Sequence, residues 1–230
     1  MSKLSSRADK AAPPNAGFSP AGKHVGSIVL FLVVAAGVFG ADLLSKSLSF
    51  RYVAGQPVVT GPDGRLDDDA IPPHPERTVV PRILALKLTV NAGAVFGIGK
   101  GRKWLFVAVS ILAVGVIGRI FTTSDAGAWG LHLAIALILA GALGNLYDRM
   151  LYSVVRDMCW LFPHVKLPFG CHWPVGFDQL APWVANTGSD ELYPWIFNVA
   201  DVSLLFGVIG VVLLNWRRGK HQQSDSEAGH

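Results

Sequence analysis

Two aspartates, Asp157 in SVVRDM (153–158) and Asp201 in FNVADVSLLFG (197–207), stand beside or inside apolar stretches of this chain. A carboxylate next to hydrocarbon is expensive, so it signals a functional site. Two carboxylates sharing a site cannot both ionise cheaply, and one keeps a proton. The charged one can take a proton from water while the other donates to a carbonyl oxygen, which is the chemistry of hydrolysis. Asp157 and Asp201 are therefore the candidate catalytic pair. A plainer alternative is that Asp201 hydrogen-bonds a neighbouring helix and Asp157 is a solvated loop residue. Spacing leaves both open, because nothing local brings positions 157 and 201 together.

The elements that could position them are membrane spans. The chain has 230 residues, of which 51% are hydrophobic and 16% charged, and its mean hydropathy is +0.40. Soluble domains carry roughly 25% charged residues, so the balance points to a bilayer. Apolar runs at about Val25–Leu44, Trp104–Phe121, Gly127–Tyr147 and Trp195–Trp216 are each long enough to cross one. With their margins they predict spans over 25–46, 104–121, 127–147 and 195–216 within one domain, 25–216. Residues 1–24, rich in Ser, Ala, Gly, Pro and Lys, predict a disordered tail, and 217–230 form a second tail. The net charge of +4 fits membrane orientation. Lys3, Arg7, Lys10 and Lys23 precede the first span, and Arg217, Arg218 and Lys220 follow the last. An even number of spans then puts both termini in the cytoplasm. The first apolar run exceeds the h-region of about 7–15 residues in a cleaved leader, so it predicts a signal anchor. A nucleic-acid groove needs a basic stripe interleaved with stacking aromatics, and none is present.

Two outer connectors remain, 51–103 and 148–194. In RILALKLTVN the residues Leu84, Leu86, Leu88 and Val90 alternate, which predicts one face of a strand in a small sheet on the membrane surface. The second connector is rich in Pro and aromatics and reads as an interfacial loop. The short link TTSDA makes spans two and three antiparallel neighbours, span one ends on the side where span two begins, and span three ends on the side where span four begins. Asp42, Lys46, Asn91, Asn145, Asp148, Arg149, Asp157, Asn198 and Asp201 are thus all delivered to the outer face.

Several of these have roles their spacing suggests. Asp201 lies about two turns into the fourth span, and Asn198, three residues earlier, sits on the same helical face. Asn145, Asp148 and Arg149 form one helical stripe, and the Arg149 fork suits peptide carbonyls. Gly141 and Gly144 permit close helix approach. Asp42 and Lys46 have ion-pair spacing and read as structural. Asn91 and Gly93 sit in the turn NAGAVFG, where glycine lets another backbone come close. His132 reads as a packed core histidine. Cys159 and Cys171 would allow a disulfide in an oxidising compartment, contributing on the order of 3 kcal/mol at most. With His164 and His172 they match no standard zinc spacing.

Taken together, DLLSK (42–46), NAGAVFG (91–97), GALGNLYDR (141–149), VVRD (154–157) and FNVADVSLLFG (197–207) resemble the lipoprotein signal peptidase family, signal peptidase II. The resemblance implies an all-α membrane protein, a four-helix transmembrane bundle with a small extracytoplasmic β-sheet cradle and an aromatic-rich second outer loop. It implies a metal-free, cofactor-free aspartic endopeptidase of the bacterial inner membrane. Such an enzyme removes signal peptides from diacylglyceryl-modified prolipoproteins, cutting before the lipidated cysteine near the outer face. By the same likeness Asp157 and Asp201 are catalytic. Asn91, Gly93, Asn145, Arg149 and Asn198 contact substrate or a peptide antibiotic. Asp42, Lys46, Asp148 and Gly144 support the site. Membrane lipid and prolipoprotein are the expected partners, nucleic acid is not, and a monomer is expected. Asp148 matches the GNxxDR aspartate, which leaves Asp157 as the partner of Asp201. The chain departs from the family at Arg156 and Met158, which flank Asp157, and in the long stretch 158–194, expected to be an enlarged lid. Rival readings of the same carboxylates are a small proton- or ion-coupled transporter and a noncatalytic lipopeptide-binding membrane factor.

Overall fold

A computed structural model of the chain describes residues 18–55, 60–61, 65–66, 68–91, 103–173 and 190–228. Gly93, residues 1–17 of the expected tail and residues 174–189 of the expected lid lie outside the described residues.

Among the described residues, four helices are long and apolar enough to span a membrane: α1 (Val25–Tyr52), α2 (Lys103–Thr123), α3 (Trp129–Tyr152) and α4 (Val199–Ala228). Their outer faces are hydrocarbon, with Leu32, Leu112 and Val212 all exposed. The fully buried side chains include Lys46, Asp42, Asp148 and Asn198. Apolar outside with charge inside is the reverse of a water-soluble bundle and fits lipid as the solvent.

Helices α3 and α4 pack on small residues. A side chain on Gly141 would meet Ser203 Oγ at 2.7 Å, and one on Gly207 would meet the Ala134 carbonyl at 2.7 Å. One on Gly144 would run into the Asp42 carboxylate of α1. Backbones this close gain dispersion that lipid cannot match. Gly144→Ala should therefore destabilise the bundle by about 1–3 kcal/mol, the range for overpacking a filled interior. A thermal melt in detergent checks this; a variant as stable as the parent would show that Asp42 can move aside.

At the other end of the bundle Phe31 stacks on Phe121 at 4.3 Å. Buried His132 packs edge-on against Phe121 and shares a hydrogen bond with Ser124 Oγ at 2.8 Å. Residues 18–24, expected to be tail, lie against the α2–α3 link: Ala21 N–H donates to the Ser124 carbonyl at 2.9 Å, and Ala21 is buried.

The outer sheet is antiparallel, in the order β1 (Arg77–Val80), β2 (Leu84–Asn91), β3 (Val155–Leu161), β4 (Ile196–Phe197). The strand predicted from alternation is β2, but its single inward face is not kept. The buried residues are Ala85 and Leu88, three apart, because the register slips between Leu86 and Thr89. Two residues of β2, Lys87 and Leu88, stand opposite the single residue Met158 of β3, a bulge next to Asp157. The strand β3 lies in the connector expected to be loop. It is buried on both sides over Val155–Met158, so no alternation advertises it. Cys159 is half-buried, Cys171 is exposed, and the two are free thiols. Burial, and then the charge of Asp157, pushes the Cys159 thiol up to about 11.

Candidate active site

Two chain reversals bring the candidate aspartates to one end of the bundle. The first is at Ser153, whose left-handed backbone (φ 66°) ends α3 while its N–H closes on the Arg149 carbonyl. Two residues later the chain is already β3, and Asp157 pairs there with Thr89 of β2. The second is at Asn198. The span starts at Val199 rather than Trp195, so Asp201 stands in the first turn of α4, not two turns in. Asn198 is not its helical neighbour but its cap. Asn198 Oδ1 accepts from the Asp201 N–H at 2.9 Å, and the Asn198 N–H donates to Asp201 Oδ2 at 3.2 Å. This reciprocal box satisfies backbone donors that a helix start leaves unpaired. It also holds the Asp201 carboxylate at the positive end of the helix dipole.

The two asparagines join the aspartates. Asn198 Nδ2 donates to Asp157 Oδ1 at 2.6 Å and to Asn145 Oδ1 at 3.2 Å. Asn145 Nδ2 donates to Asp201 Oδ1 at 2.9 Å. Asp157, Asn198, Asn145 and Asp201 thus form one continuous chain. Burial pushes the Asp157 carboxyl well above the usual range, and the negative charge of Asp201 adds to the rise. The hydrogen bond from Asn198, the charge of Lys46 and the Asn91 side chain oppose it in part. Asn91 closes β2 opposite Val155 and so reaches Asp157 from the cradle.

Arg149 is half-buried, with its guanidinium over the Phe106 ring at 4.9 Å. The charges of Asp201 and Asp157 act on it.

Beneath the pair lies a second layer in which every charge is matched. Lys46 Nζ bonds Asp42 Oδ2 at 2.8 Å, Asp148 Oδ2 at 3.2 Å and Asn145 Oδ1 at 3.3 Å. Asp42 Oδ1 accepts from the Ala200 N–H at 2.9 Å, tying α1 to the start of α4. Arg156 Nη2 and Nε both reach Asp148 Oδ1, at 2.8 and 3.2 Å, while the Arg156 N–H donates to Asp148 Oδ2 at 3.0 Å. The guanidinium lies 4.5 Å from the centre of the Tyr152 ring. Both oxygens of Asp148 are therefore taken up by Lys46 and Arg156, whereas Asp157 is joined through asparagine to Asp201. Sequence reasoning treated Arg156 only as a departure from a pattern. The available signal was an arginine inside the apolar string VVRDM, which demands a buried acid.

A family model described as "Signal peptidase (SPase) II" matches residues 34–217. The chain belongs to the signal peptidase II family. A lipoprotein signal peptidase of Latilactobacillus sakei is 44% identical over 81 residues, 35% of this chain and 54% of that protein. One from Pseudomonas aeruginosa is 33% identical over 100 residues, 39% of this chain and 59% of that protein. The chain thus spans about half the length of the curated relatives it matches. A solved structure described as a bacterial membrane enzyme, at 23% identity, matches 86% of this chain and 92% of its own with a TM-score of 0.58. That likeness shows the signal peptidase II chain to share the fold: a multi-pass bundle with a small antiparallel sheet.

Proposed function

We propose that the protein is an aspartic endopeptidase that removes the signal peptide from diacylglyceryl-modified prolipoproteins, cutting before the lipidated cysteine. Membership of the signal peptidase II family supports the substrate class. The observation that carries the chemistry is the hydrogen-bond chain from Asp157 through Asn198 and Asn145 to Asp201. Buried Asp157 holds the proton of the pair and Asp201 supplies the carboxylate. The carboxylate takes a proton from water as the water oxygen bonds to the scissile carbonyl carbon. Asp157 gives its proton to the carbonyl oxygen, leaving a neutral gem-diol. The diol then collapses: one hydroxyl returns its proton to the Asp157 carboxylate as the C=O bond forms, the C–N bond breaks, and the amine leaves with the proton that Asp201 gained. Arg149, Asn91 and Gly93 hold the substrate backbone, and Asn145 and Asn198 keep the pair in register.

The polar groups gather at one end of the bundle, which suits a substrate whose acyl chains stay in lipid while its peptide bond is cut near the surface. A transporter would place them at mid-membrane. With both termini in the cytoplasm, this end faces outward across the inner membrane.

The test is a gel-shift cleavage assay on a diacylglyceryl-modified prolipoprotein, run across pH. Activity should need the pair to carry one proton. It falls at the acid end as the pair takes up its second proton. It falls at the alkaline end as Asp157 loses its own, above the ordinary carboxylate range. A profile whose alkaline limb lies below that range would contradict Asp157 as the acid.

A further inference from the structure

Arg156 and Asp157 are neighbours on β3, and successive side chains of a strand point to opposite faces. The strand therefore presents Asp157 to the catalytic pair and turns Arg156 onto α3. There Arg156 gives Asp148 three bonds, from its backbone N–H at 3.0 Å, Nε at 3.2 Å and Nη2 at 2.8 Å. Arg156 is buried, which is costly for a cation, and no step of the proposed hydrolysis uses it.

Its effect on the pair runs through Lys46. The Lys46 ammonium has three protons and three acceptors: Asp42 Oδ2 at 2.8 Å, Asp148 Oδ2 at 3.2 Å and Asn145 Oδ1 at 3.3 Å. An ammonium only donates, so the third bond fixes which way the Asn145 amide faces. The amide oxygen meets Lys46, and the amide nitrogen donates to Asp201 Oδ1 at 2.9 Å. The charge of Lys46 acts on Asp157 as well. Two carboxylates compete for this ammonium, and Arg156 compensates one of them. The layer of Asp42, Lys46, Asp148 and Arg156 then carries two charges of each sign, beneath a pair that holds one negative charge while it shares a proton. Without Arg156 the layer is left with a net negative charge, and Asp148 draws Lys46 away from Asn145. A like charge below the pair makes both of its ionisations harder.

Other groups facing the pair are Arg149 of α3, Cys159 of β3 and Tyr193 ahead of α4, while β2 offers Asn91, which is uncharged. Arg149 is half-buried, so water screens its charge more than those of the layer beneath. We propose that Arg156 is a positioning residue that sets the pH range of cleavage: by neutralising Asp148 it leaves Lys46 to hold Asn145 and, through that amide, the proton shared by Asp157 and Asp201. This rests on the peptidase reading above.

The test is kcat/KM against pH for the full-length protein on a diacylglyceryl-modified prolipoprotein, with the thermal transition of each variant recorded. In Arg156→Met both limbs of the profile should move up by on the order of one pH unit, the effect of one uncompensated charge roughly 10 Å away in a protein interior. Arg156→Lys restores the charge and should keep the parental limbs, although it melts lower. Asp148→Leu combined with Arg156→Met removes one charge of each sign and should keep them too. If Arg156→Met loses its thermal transition, Asp148→Asn carries the comparison with the opposite sign: it leaves positive charge in excess, and both limbs should move down. A residue that merely braces β3 would lower kcat at every pH and leave the limbs in place. A folded Arg156→Met with parental limbs therefore overturns the proposal, as does Asp148→Asn with limbs unmoved or raised. So does an Arg156→Lys profile displaced as far as that of Arg156→Met, or a double variant that stays displaced. A parent protein that cuts nothing at any pH would instead defeat the peptidase reading.

Discussion

Asp157→Asn and Asp201→Asn should each lower prolipoprotein turnover by at least about 10⁴-fold, because neither amide can exchange the proton the chemistry needs. The loss should not come from unfolding. Asn at 157 keeps the shape of the neutral acid and can still meet the Asn198 amide. The linkage sign makes a second readout. Asp157 has a raised carboxyl in the fold, so its stabilising contribution is complete below the unfolded pKa and lost as pH rises through the folded one. Asparagine does not titrate. The melting temperature of Asp157→Asn relative to the parent should therefore climb as pH rises through that window. Asp148→Asn is the control, since both Asp148 oxygens face Lys46 and Arg156. Its main effect should be on stability. If Asp157→Asn cleaves while a folded Asp148→Asn is dead, the catalytic assignment belongs to Asp148 instead.

The largest stability effect should follow from Arg156→Met. Asp42, Lys46, Asp148 and Arg156 are all buried, with two charges of each sign. Removing one member leaves an uncompensated charge in a dry interior, which costs about 3–5 kcal/mol. The loss also loosens β3 on α3, since of the bonds from residue 156 to Asp148 only the backbone N–H survives. Arg156→Lys should fall between, because a point charge cannot reproduce the fork. Asp148→Leu combined with Arg156→Met should recover most of the stability, as a buried pair replaced by apolar groups often does. Denaturation in detergent at fixed pH reads all three. Full stability in Arg156→Met would mean that Asp148 needs Lys46 alone.

Composition and apolar length were enough to read four spans, because a bilayer imposes about 20 apolar residues on any helix that crosses it. The five ordered strings were enough to read the family. The ends of the elements were less legible. Asp201 was expected two turns into its helix, but hydropathy does not distinguish an apolar strand, Ile196–Phe197, from the first turn of a span. The cap formed by Asn198 decides where the helix starts. Likewise Leu84, Leu86, Leu88 and Val90 alternate in the chain, while the bulge beside Met158 turns Leu88 and Ala85 inward.

What the sequence determined by itself was which residues could do chemistry and at which end of the bundle they collect, since both follow from residue type and the direction of each span. Only the tertiary structure decided how they are joined. Positions 157 and 201 are linked through Asn198 and Asn145, and positions 42, 46, 148 and 156 through ion pairs between α1, α3 and β3. Those contacts depend on the turn at Ser153, the register of β3 between β2 and β4, and the glycine-lined approach of α3 to α4. Each is a relation between segments far apart in the chain, and no local pattern encodes it.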